Sequence, residues 1–371
     1  MLSEPFAGRC ERAGAAAQTL GAAALLASDP ATVRWLTGRQ SEIEFGPPYP
    51  VWAGTHVLLD ATGRGTIIAP EDEAAGGPTV EGLALDTYEA YSLGPLRAHA
   101  NVAAIVDALL GSSGRPALLA VEALALPVAI AGGRPTVDAT EALRWLRVRK
   151  DPAERERIAR TAAVVSAGQR AFRAVAAPGR REIDVFSDVH AAMEREAGAR
   201  VPVLPDLLSG ERMLEVGRPP TDRVMAADEL ALCDLAARHD GYWADSCTTI
   251  CLGRPTAEMR RLHDTVRRAL DAAVAAARPG TIAGDLDATV RATIAAIGYS
   301  YPHHTGHGVG VSYHEEPRIV PRAEVRLEEG MILALEPAGF GHGIGARVEQ
   351  IVEVTPAGGR VLTDYETRLE R

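Results

Sequence analysis

The first 148 residues alternate short apolar runs with a stretch of helical spacing. Apolar and β-branched residues form four short runs, which predict strands at 24–28, 56–60, 66–69 and 117–121. A helix is predicted at 97–110, between the last two of these runs. Strands that alternate with helices are typical of an α/β domain. We therefore expect a small α/β domain over residues 1–148.

A second domain is predicted to begin at the segment RVRKDPAERERIAR. Asp151 can accept hydrogen bonds from the first turn of a helix, and Pro152 suits the first helical position. Glu154 stands where a capping box needs an acid, and apolar residues then recur at helical spacing. These signals assign residues 149–371 to the second domain.

The second domain repeats its own pattern. Pro178-Gly179 stands 101 residues before Pro279-Gly280, and Gly198 stands 100 residues before Gly298. In each half, two segments of helical spacing precede a pair of β-like runs. We interpret this repetition as an internal duplication, and we expect both halves to end in equivalent hairpins.

Each half carries two acids on its predicted hairpin. In ALCDLAARHDGYWADSC, Asp240-Gly241 predicts a two-residue turn, so that residues whose numbers sum to 481 face each other. Asp245 would then lie diagonal to Asp234, with both carboxylates on one face. Glu336 and Glu349 lie on two β-like runs joined by a glycine-rich loop, and their odd spacing predicts one shared face. The duplication would bring the two faces together.

Four buried carboxylates that face one another need compensating cations. Without cations, burial and mutual repulsion would raise their pKa values. Two divalent ions would cancel the four charges, which favours a dinuclear metal site. The segment YPHHTGHGVGVSYHEEP supplies His303, His304, His307 and His314, and a neutral imidazole is a suitable fifth ligand. Its glycines at 306, 308 and 310 would let the backbone approach a metal or substrate closely.

These motifs together resemble those of the pita-bread metallopeptidases. Two aspartates eleven residues apart, followed by GHGVG, HEEP, LEP and RVEQ, are similar to the pattern of Xaa-Pro aminopeptidases, prolidases, methionine aminopeptidases and creatinases. VRWLTG and RVRKDPAERERI extend the resemblance to the creatinase-type amino-terminal domain and interdomain helix. The resemblance implies an α+β protein. It would consist of a small ribonuclease H-like α/β domain at 1–148 and a pita-bread catalytic domain at 149–371.

The resemblance also implies a ligand set for two metal ions. Matched motif by motif, the ligands are Asp234, Asp245, His307, Glu336 and Glu349. Asp245 and Glu349 would bridge the two ions. Because oxygen donors outnumber nitrogen donors, Mn²⁺ is the expected metal, with Co²⁺, Fe²⁺ or Zn²⁺ as alternatives.

Catalytic roles are implied in the same way. Glu336 would receive a proton from the attacking water, and His314 would donate a hydrogen bond to the tetrahedral intermediate. His303 would contact the substrate and help to move protons, and Arg347 would support the ligands. The implied reaction is hydrolysis of a peptide or amide bond in a short peptide or small amide, as in an Xaa-Pro aminopeptidase or prolidase.

Two departures from the family's pattern leave other functions open. Where the family reads SDITRT, this chain reads ADSCTT, so that Cys247 and Thr248 replace a threonine and an arginine. The preceding loop has Val216 and Gly217 where peptidases of this group carry a histidine. A small-molecule C–N hydrolase or lyase on the same scaffold is therefore an alternative. A non-catalytic pita-bread binding protein is a third, less favoured one.

Composition narrows the partners and the location. The 371 residues carry a net charge of −10, which argues against nucleic acid as a partner. The amino terminus has no basic cluster and no long apolar run, so we expect neither a signal peptide nor a membrane span, and the cytoplasm is the default location. The four cysteines lack zinc or redox spacing and are expected to be core thiols. The family resemblance implies a homodimer.

Overall fold

The computed structural model describes residues 5–40, 53–74, 76–90, 97–111, 118–122 and 128–371. The chain divides into two compact units, Met1–Arg147 and Val148–Arg371. Within the described ranges, every helix is too short or too polar to cross a membrane.

The first unit contains a six-stranded sheet, counted over the described residues, in the order β4-β3-β2-β1-β5-β6. Its strands are β1 Ala24–Ala27, β2 His56–Leu59, β3 Gly65–Pro70, β4 Leu83–Tyr88, β5 Leu119–Val121 and β6 Thr136–Asp138. Its helices are α1 Phe6–Thr19, α2 Pro30–Thr37, α3 Glu71–Ala74, α4 Ala98–Leu110, α5 Val128–Ala131 and α6 Thr140–Leu146.

The apolar runs of the first unit become the centre of this sheet. Strands are present at all four predicted places, although residue 117 of the last run lies outside the described residues. The predicted helix at 97–110 is α4, whose Val102 packs with Leu26 and Leu119 in one buried cluster. The expectation of an α/β arrangement is confirmed.

The second unit carries the repeated pattern. Its helices are α7 Pro152–Val175, α8 Glu182–Ala197, α9 Ala257–Ala276 and α10 Ala283–Ala295, with a 3₁₀ helix at Gly210–Glu215. Its strands are β7 Val203–Ser209, β8 Leu230–His239, β9 Tyr242–Ala244, β10 Cys247–Cys251, β11 Gly306–Gly308, β12 Glu315–Ile319, β13 Ile332–Leu335, β14 Ala338–Gly341, β15 Ile344–Arg347, β16 Gln350–Thr355 and β17 Gly358–Val361.

These strands form three sheets. One has the order β10-β8-β7 with β9 also paired to β8, one has the order β12-β11-β13-β16-β17, and β14 pairs with β15. Apolar residues of α9 and α10, among them Leu262, Val266 and Val290, pack in one core with Leu333 and Val352 of the five-stranded sheet. The helices therefore support the strands that carry the candidate site.

Helix α7 begins where the sequence predicts. The Asp151 side chain accepts hydrogen bonds from the amides of Ala153 and Glu154, and the Glu154 carboxylate accepts one from the Asp151 amide, which completes a capping box. Pro152 occupies the first helical position, where it needs no donor.

The internal duplication is visible in the backbone. Gly179 and Gly280 both have positive φ, and each donates its amide to a later segment of its own half. Isolated bridges follow at corresponding places, Arg181 with Val224 and Ile282 with Arg326. The two halves thus use the same helix, turn and helix before their strands.

Candidate metal centre

The first acid pair lies on the hairpin of β8 with β9 and β10. Its turn residues Asp240 and Gly241 both have positive φ, at 51° and 77°, as a primed hairpin turn requires. Paired residue numbers sum to 481 along both ladders, so the predicted register is confirmed. Asp234 lies in β8, Asp245 lies diagonal to it between β9 and β10, and both are buried.

The second acid pair lies where β13 ends and β16 begins. Paired residues on both sides of these acids have numbers that sum to 685, which places Glu336 opposite Glu349. Between the acids, β14 and β15 form a hairpin with a two-residue turn at His342-Gly343, both at positive φ. The prediction that these carboxylates share one face is confirmed.

Hydrogen bonds join the two hairpins. The Glu349 amide donates to the Cys247 carbonyl at 2.9 Å. The Thr249 hydroxyl donates to the Arg347 carbonyl at 2.9 Å and accepts from the Arg347 amide at 3.0 Å. The two acid-bearing faces therefore meet, as the duplication predicts.

His307 lies in β11 and points into this cluster. Its Nδ1 is 2.9 Å from the Gly308 carbonyl, an arrangement that assigns the proton to Nδ1 and leaves a lone pair on Nε2. Nε2 is 3.9 Å from Asp245 Oδ2 and 3.8 Å from Glu336 Oε1. Donor atoms of Asp245, His307 and Glu349 all lie within 4.8 Å of one another, close enough to share a cation.

The electrostatics of the four acids are strongly perturbed. Burial, and then repulsion by Asp245, raises the pKa of Glu349 well above its usual range. Burial and repulsion by Glu336 raise the pKa of Asp245 to about 6. Burial also raises the pKa of Asp234, although Arg347 opposes this shift. For Glu336, burial acts in the same direction, but His304 and its neighbours outweigh it and lower the pKa to about 2.

The donor set fits two divalent ions. Neither carboxylate oxygen of Glu349 nor Nε2 of His307 has a hydrogen-bond partner among the described residues, although all three atoms are buried. Buried polar atoms without partners are rare in folded proteins. Carboxylate and imidazole donors suit divalent metals. The residues that would hold the ions are Asp234, Asp245, His307, Glu336 and Glu349.

Arg347 lies at one edge of the acid cluster. Its guanidinium forms an ion pair with Asp234, and its Nη2 is 3.3 Å from Asp206 Oδ2. Its Nε donates to Cys247 Sγ at 3.4 Å. Sequence patterns do not indicate Asp206, because it reaches the site only through the pairing of β7 with β8, where it faces Asp234.

His303 and His304 lie beside Glu336. His303 Nδ1 is 2.8 Å from the His304 carbonyl and 3.5 Å from Glu336 Oε2. His304 Nδ1 is closer to the carboxylate, 2.9 Å from Glu336 Oε1. The structure thus brings both His303 and His304 of the predicted histidine segment to Glu336. The sequence gives His304 no role of its own, because residues 303–304 belong to no helix or strand whose spacing would predict where the side chain points.

His314 and Arg318 lie next to His307. The His314 ring stacks on the His307 ring with 3.8 Å between centroids, and His314 is exposed. Arg318 faces His307 across the ladder of β11 and β12, so the two side chains share a face. Its Nε is buried and has no hydrogen-bond partner within the described ranges. Sequence patterns do not indicate Arg318 either.

Cys247 and Thr248, which depart from the family's pattern, lie on opposite faces of β10. Cys247 replaces a threonine but still contacts Arg347 through its sulfur. Thr248 faces Cys233, and by alternation along β10 its side chain lies on the opposite face from Cys247. An arginine at this position would therefore point away from the face that carries Asp234.

The loop that lacks a histidine lies near Asp206. Val216 has φ of 40°, an unusual conformation for a β-branched residue. A side-chain carbon at Gly217 would lie 3.6 Å from Asp206 Oδ2. The loop thus comes close to the acid that contacts Arg347.

The chain matches the family model of metallopeptidase family M24 over residues 156–356, more than half of its length. A probable dipeptidase PepE from Mycobacterium tuberculosis is 33% identical over 237 residues, which is 63% of this chain and 63% of that protein. An Xaa-Pro dipeptidase from Lactobacillus helveticus is 38% identical over 154 residues, 41% of this chain and 42% of that protein.

Solved structures extend the likeness to the whole chain. The dipeptidase PepE of Mycobacterium ulcerans superimposes with a TM-score of 0.81 and 28% identity, over 98% of this chain and 97% of that one. The α+β fold with a pita-bread second domain is therefore confirmed. The chain belongs to metallopeptidase family M24. The alignment spans less than two thirds of the first curated relatives it matches.

Proposed function

We propose that this chain is a dinuclear metal-dependent peptidase that hydrolyses short peptides, Xaa-Pro dipeptides among them. The environment of Glu349 is the observation that carries the proposal. Both of its oxygens are buried without partners among the described residues, and it lies with Asp245 and His307 in a group that could share a cation. Relatives named dipeptidase and Xaa-Pro dipeptidase support the substrate class.

The residues around the proposed ions can perform the proton transfers. Two bound divalent ions would make water more acidic and polarise a carbonyl group. Glu336 is ionised beside His304, so it can accept a proton from the attacking water and return it to the leaving nitrogen. His314 is exposed and can donate a hydrogen bond to the oxygen that becomes negative. His303, whose Nδ1 is 3.5 Å from Glu336 Oε2, would contact the substrate and help to move protons.

Arg318 favours a substrate with a nearby free carboxylate. Its side chain shares a face with His307, and its buried Nε lacks a hydrogen-bond partner in the part of the chain that is described. An arginine fork can bind a carboxylate through two hydrogen bonds. In a dipeptide the terminal carboxylate lies one residue from the scissile bond, so Arg318 would favour dipeptides over longer chains.

The finer assignments complete the proposal. The oxygen-rich donor set supports Mn²⁺ as the native metal. Residues 1–148 would form the creatinase-type domain, and residues 149–371 would form the catalytic domain. The chain would act in the cytoplasm as a homodimer.

A hydrolysis screen tests this function. The metal-free protein is reconstituted separately with Mn²⁺, Co²⁺, Fe²⁺ and Zn²⁺ and offered Ala-Pro, Leu-Pro, Ala-Leu, Pro-Ala, Met-Ala, Ala-Pro-Ala and a set of non-peptide amides. We expect dipeptides to be cleaved and Mn²⁺ to support the fastest turnover. Cleavage restricted to the non-peptide amides would instead identify a small-molecule hydrolase.

Two substitutions test the roles of Glu336 and His314, and only the second is expected to leave metal uptake intact. Glu336→Gln should abolish turnover, because it removes both a ligand and a proton acceptor. His314→Ala should lower kcat by roughly 100-fold, the scale for loss of one oxyanion donor, while Mn²⁺ uptake measured by calorimetry is preserved. Exposed His342→Asn is the control, since asparagine tolerates the positive φ of this turn position. A His314→Ala enzyme with normal kcat would contradict the role of that histidine.

A further inference from the structure

A buried ion pair lies next to the segment that carries His314 and outside the proposed ligand set. Lys150 Nζ is 2.6 Å from Glu315 Oε2, and the two side chains are only 1% and 2% exposed. Removing two charges from water is costly, and a buried pair of this kind is often no more stabilising than apolar residues of similar volume. Stability alone therefore gives no reason for this pair. Glu315 directly follows His314 in the chain.

The Glu315 carboxylate organises residues 309–314, which we term the His314 loop. Its Oε1 accepts a hydrogen bond from the Ser312 amide at 3.0 Å. Gly310 lies against the same carboxylate, since a side-chain carbon at this position would be 2.5 Å from Oε2. The loop thus contacts this carboxylate at two of its residues, Gly310 and Ser312.

Lys150 is itself held by the backbone. Its amide donates to the Gly330 carbonyl at 2.9 Å, and the next residue, Asp151, is the cap of α7. The ammonium group therefore extends from a fixed point at the start of a 24-residue helix. Lys150 connects this helix to the His314 loop.

The other side of the loop is fixed by β9. The Trp243 amide donates to the Gly310 carbonyl at 2.7 Å, and the rings of Trp243 and Tyr313 lie 5.7 Å apart. Tyr313 in turn lies 4.2 Å from His314 between ring centroids. Held on both sides, the loop stacks His314 on His307.

We propose that Lys150 and Glu315 are positioning residues that hold His314 in its catalytic orientation. The inference rests on the proposed function, because it assigns the pair to the step in which His314 acts. The pair would affect kcat rather than metal binding, since neither residue belongs to the ligand set. A purely structural role would instead affect stability.

A double variant, Lys150→Met with Glu315→Leu, separates the two roles. It removes both charges together, so the fold is expected to keep or gain stability, while the Ser312 amide loses its acceptor. Hydrogen exchange followed at Ser312 in the metal-free protein should accelerate at least tenfold. An exposed ion pair at the start of α8 gives the matched control, Arg181→Met with Asp184→Asn. Ser312 exchange equal to that of the wild type would overturn the proposal, whether or not any peptide is cleaved.

Kinetics supply the second measurement. In the Mn²⁺ form, the double variant should show kcat about 10- to 100-fold lower, the cost of a small misplacement of a catalytic group, with KM changed much less. The Mn²⁺ dissociation constant should stay within threefold of the wild-type value. The single variant Lys150→Arg keeps the positive charge and should retain most of the wild-type kcat. A double variant with wild-type melting temperature and wild-type kcat would overturn the positioning role.

Gly310→Ala provides an independent route if the double variant does not fold. The added carbon would push the Glu315 carboxylate away from Lys150 while both charges remain. We expect the same loss of kcat and of Ser312 protection. Unchanged values of both quantities in this variant would count against the proposal.

Discussion

At the scale of single residues, the candidate site gathers groups that are unfavourable individually. Glu349 illustrates this most clearly, because burial and neighbouring carboxylates both disfavour its charge. Arg347 offsets the cost on one side only, through its ion pair with Asp234. A protein that buries these carboxylates together needs a further source of stabilisation, and bound cations are the simplest one.

Substitution of Glu349 tests this interpretation. Glu349→Gln removes the buried ionisable group whose charge the site disfavours, so at pH 7 the metal-free variant should melt higher than the metal-free wild type, by roughly 2–4 °C for each kcal/mol of cost removed. The same variant should bind fewer Mn²⁺ ions in a calorimetric titration. Exposed Glu324→Gln is the control. A metal-free variant that melts lower than the wild type would show that the charge is not repelled.

His263 gives a prediction for pH. It lies in α9 and is 1% exposed, and burial lowers its pKa from 6.5 to about 4. The folded protein therefore binds a proton on His263 less readily than the unfolded chain does. Above pH 6.5 this histidine costs no stability, and the free energy of unfolding falls as the pH drops from 6.5 toward 4.

Removing the imidazole should remove this part of the acid sensitivity. In urea titrations at pH 7 and pH 4.5, His263→Leu should lose less unfolding free energy than the wild type, by up to about 3 kcal/mol. Exposed His342→Asn, which suits the positive φ of this turn position, should behave as the wild type does. Equal losses in His263→Leu and the wild type would mean that other groups cause the acid sensitivity.

At the scale of elements, the glycines of the histidine segment serve the packing of strands. A side-chain carbon at Gly306 would lie 2.2 Å from the Ala334 carbonyl oxygen, and one at Gly308 would lie 2.2 Å from that of Glu316. The sequence suggested close approach to a metal or substrate, whereas the nearest groups belong to β13 and to β12. These contacts place His307 between two neighbouring strands.

Gly306→Ala should therefore disturb β11 and the site together. We expect a loss of about 1–3 kcal/mol in unfolding free energy, since the clash is with backbone rather than with a flexible side chain. Mn²⁺ affinity should fall as well, because His307 is the next residue. Gly8→Ala is a suitable control, with 3.8 Å to the nearest atom. A fully stable Gly306→Ala protein would contradict this account.

At the scale of the whole molecule, the duplication explains how the acids come together. Each half brings a helix pair and a hairpin, and the amide of Glu349 bonds to the carbonyl of Cys247 across the two halves. All proposed ligands lie in the unit Val148–Arg371. The stability of that unit should therefore depend on metal.

Metal removal tests this dependence. In calorimetry, Mn²⁺ at 100 times its dissociation constant should stabilise the unit that carries the ligands by about 2.7 kcal/mol, and a chelator should reverse the change. Asp245→Asn should abolish the response. When hydrogen exchange is measured on the intact protein, the fragments that derive from Met1–Arg147 should show no metal-dependent change. A thermogram that is identical with and without Mn²⁺ would contradict a bound metal.

Local signals identified much of this molecule in advance. The capping box of α7, the hairpin register at Asp240-Gly241 and the shared face of Glu336 and Glu349 each depend on residues close in sequence. Asp206 and Arg318 could not be identified in this way. Each reaches the site only because its strand pairs with a neighbouring strand, β7 with β8 for Asp206 and β12 with β11 for Arg318.

The sequence by itself determined the elements, the turns and the types of donor atom, because these follow from the conformational preferences of neighbouring residues. Tertiary structure alone decided which buried atoms lack partners, that Thr248 faces away from the acids, and that Lys150 meets Glu315. The physical reason is that burial, desolvation and charge pairing depend on distances between residues far apart in the chain. Those distances exist only once the two duplicated halves have packed together.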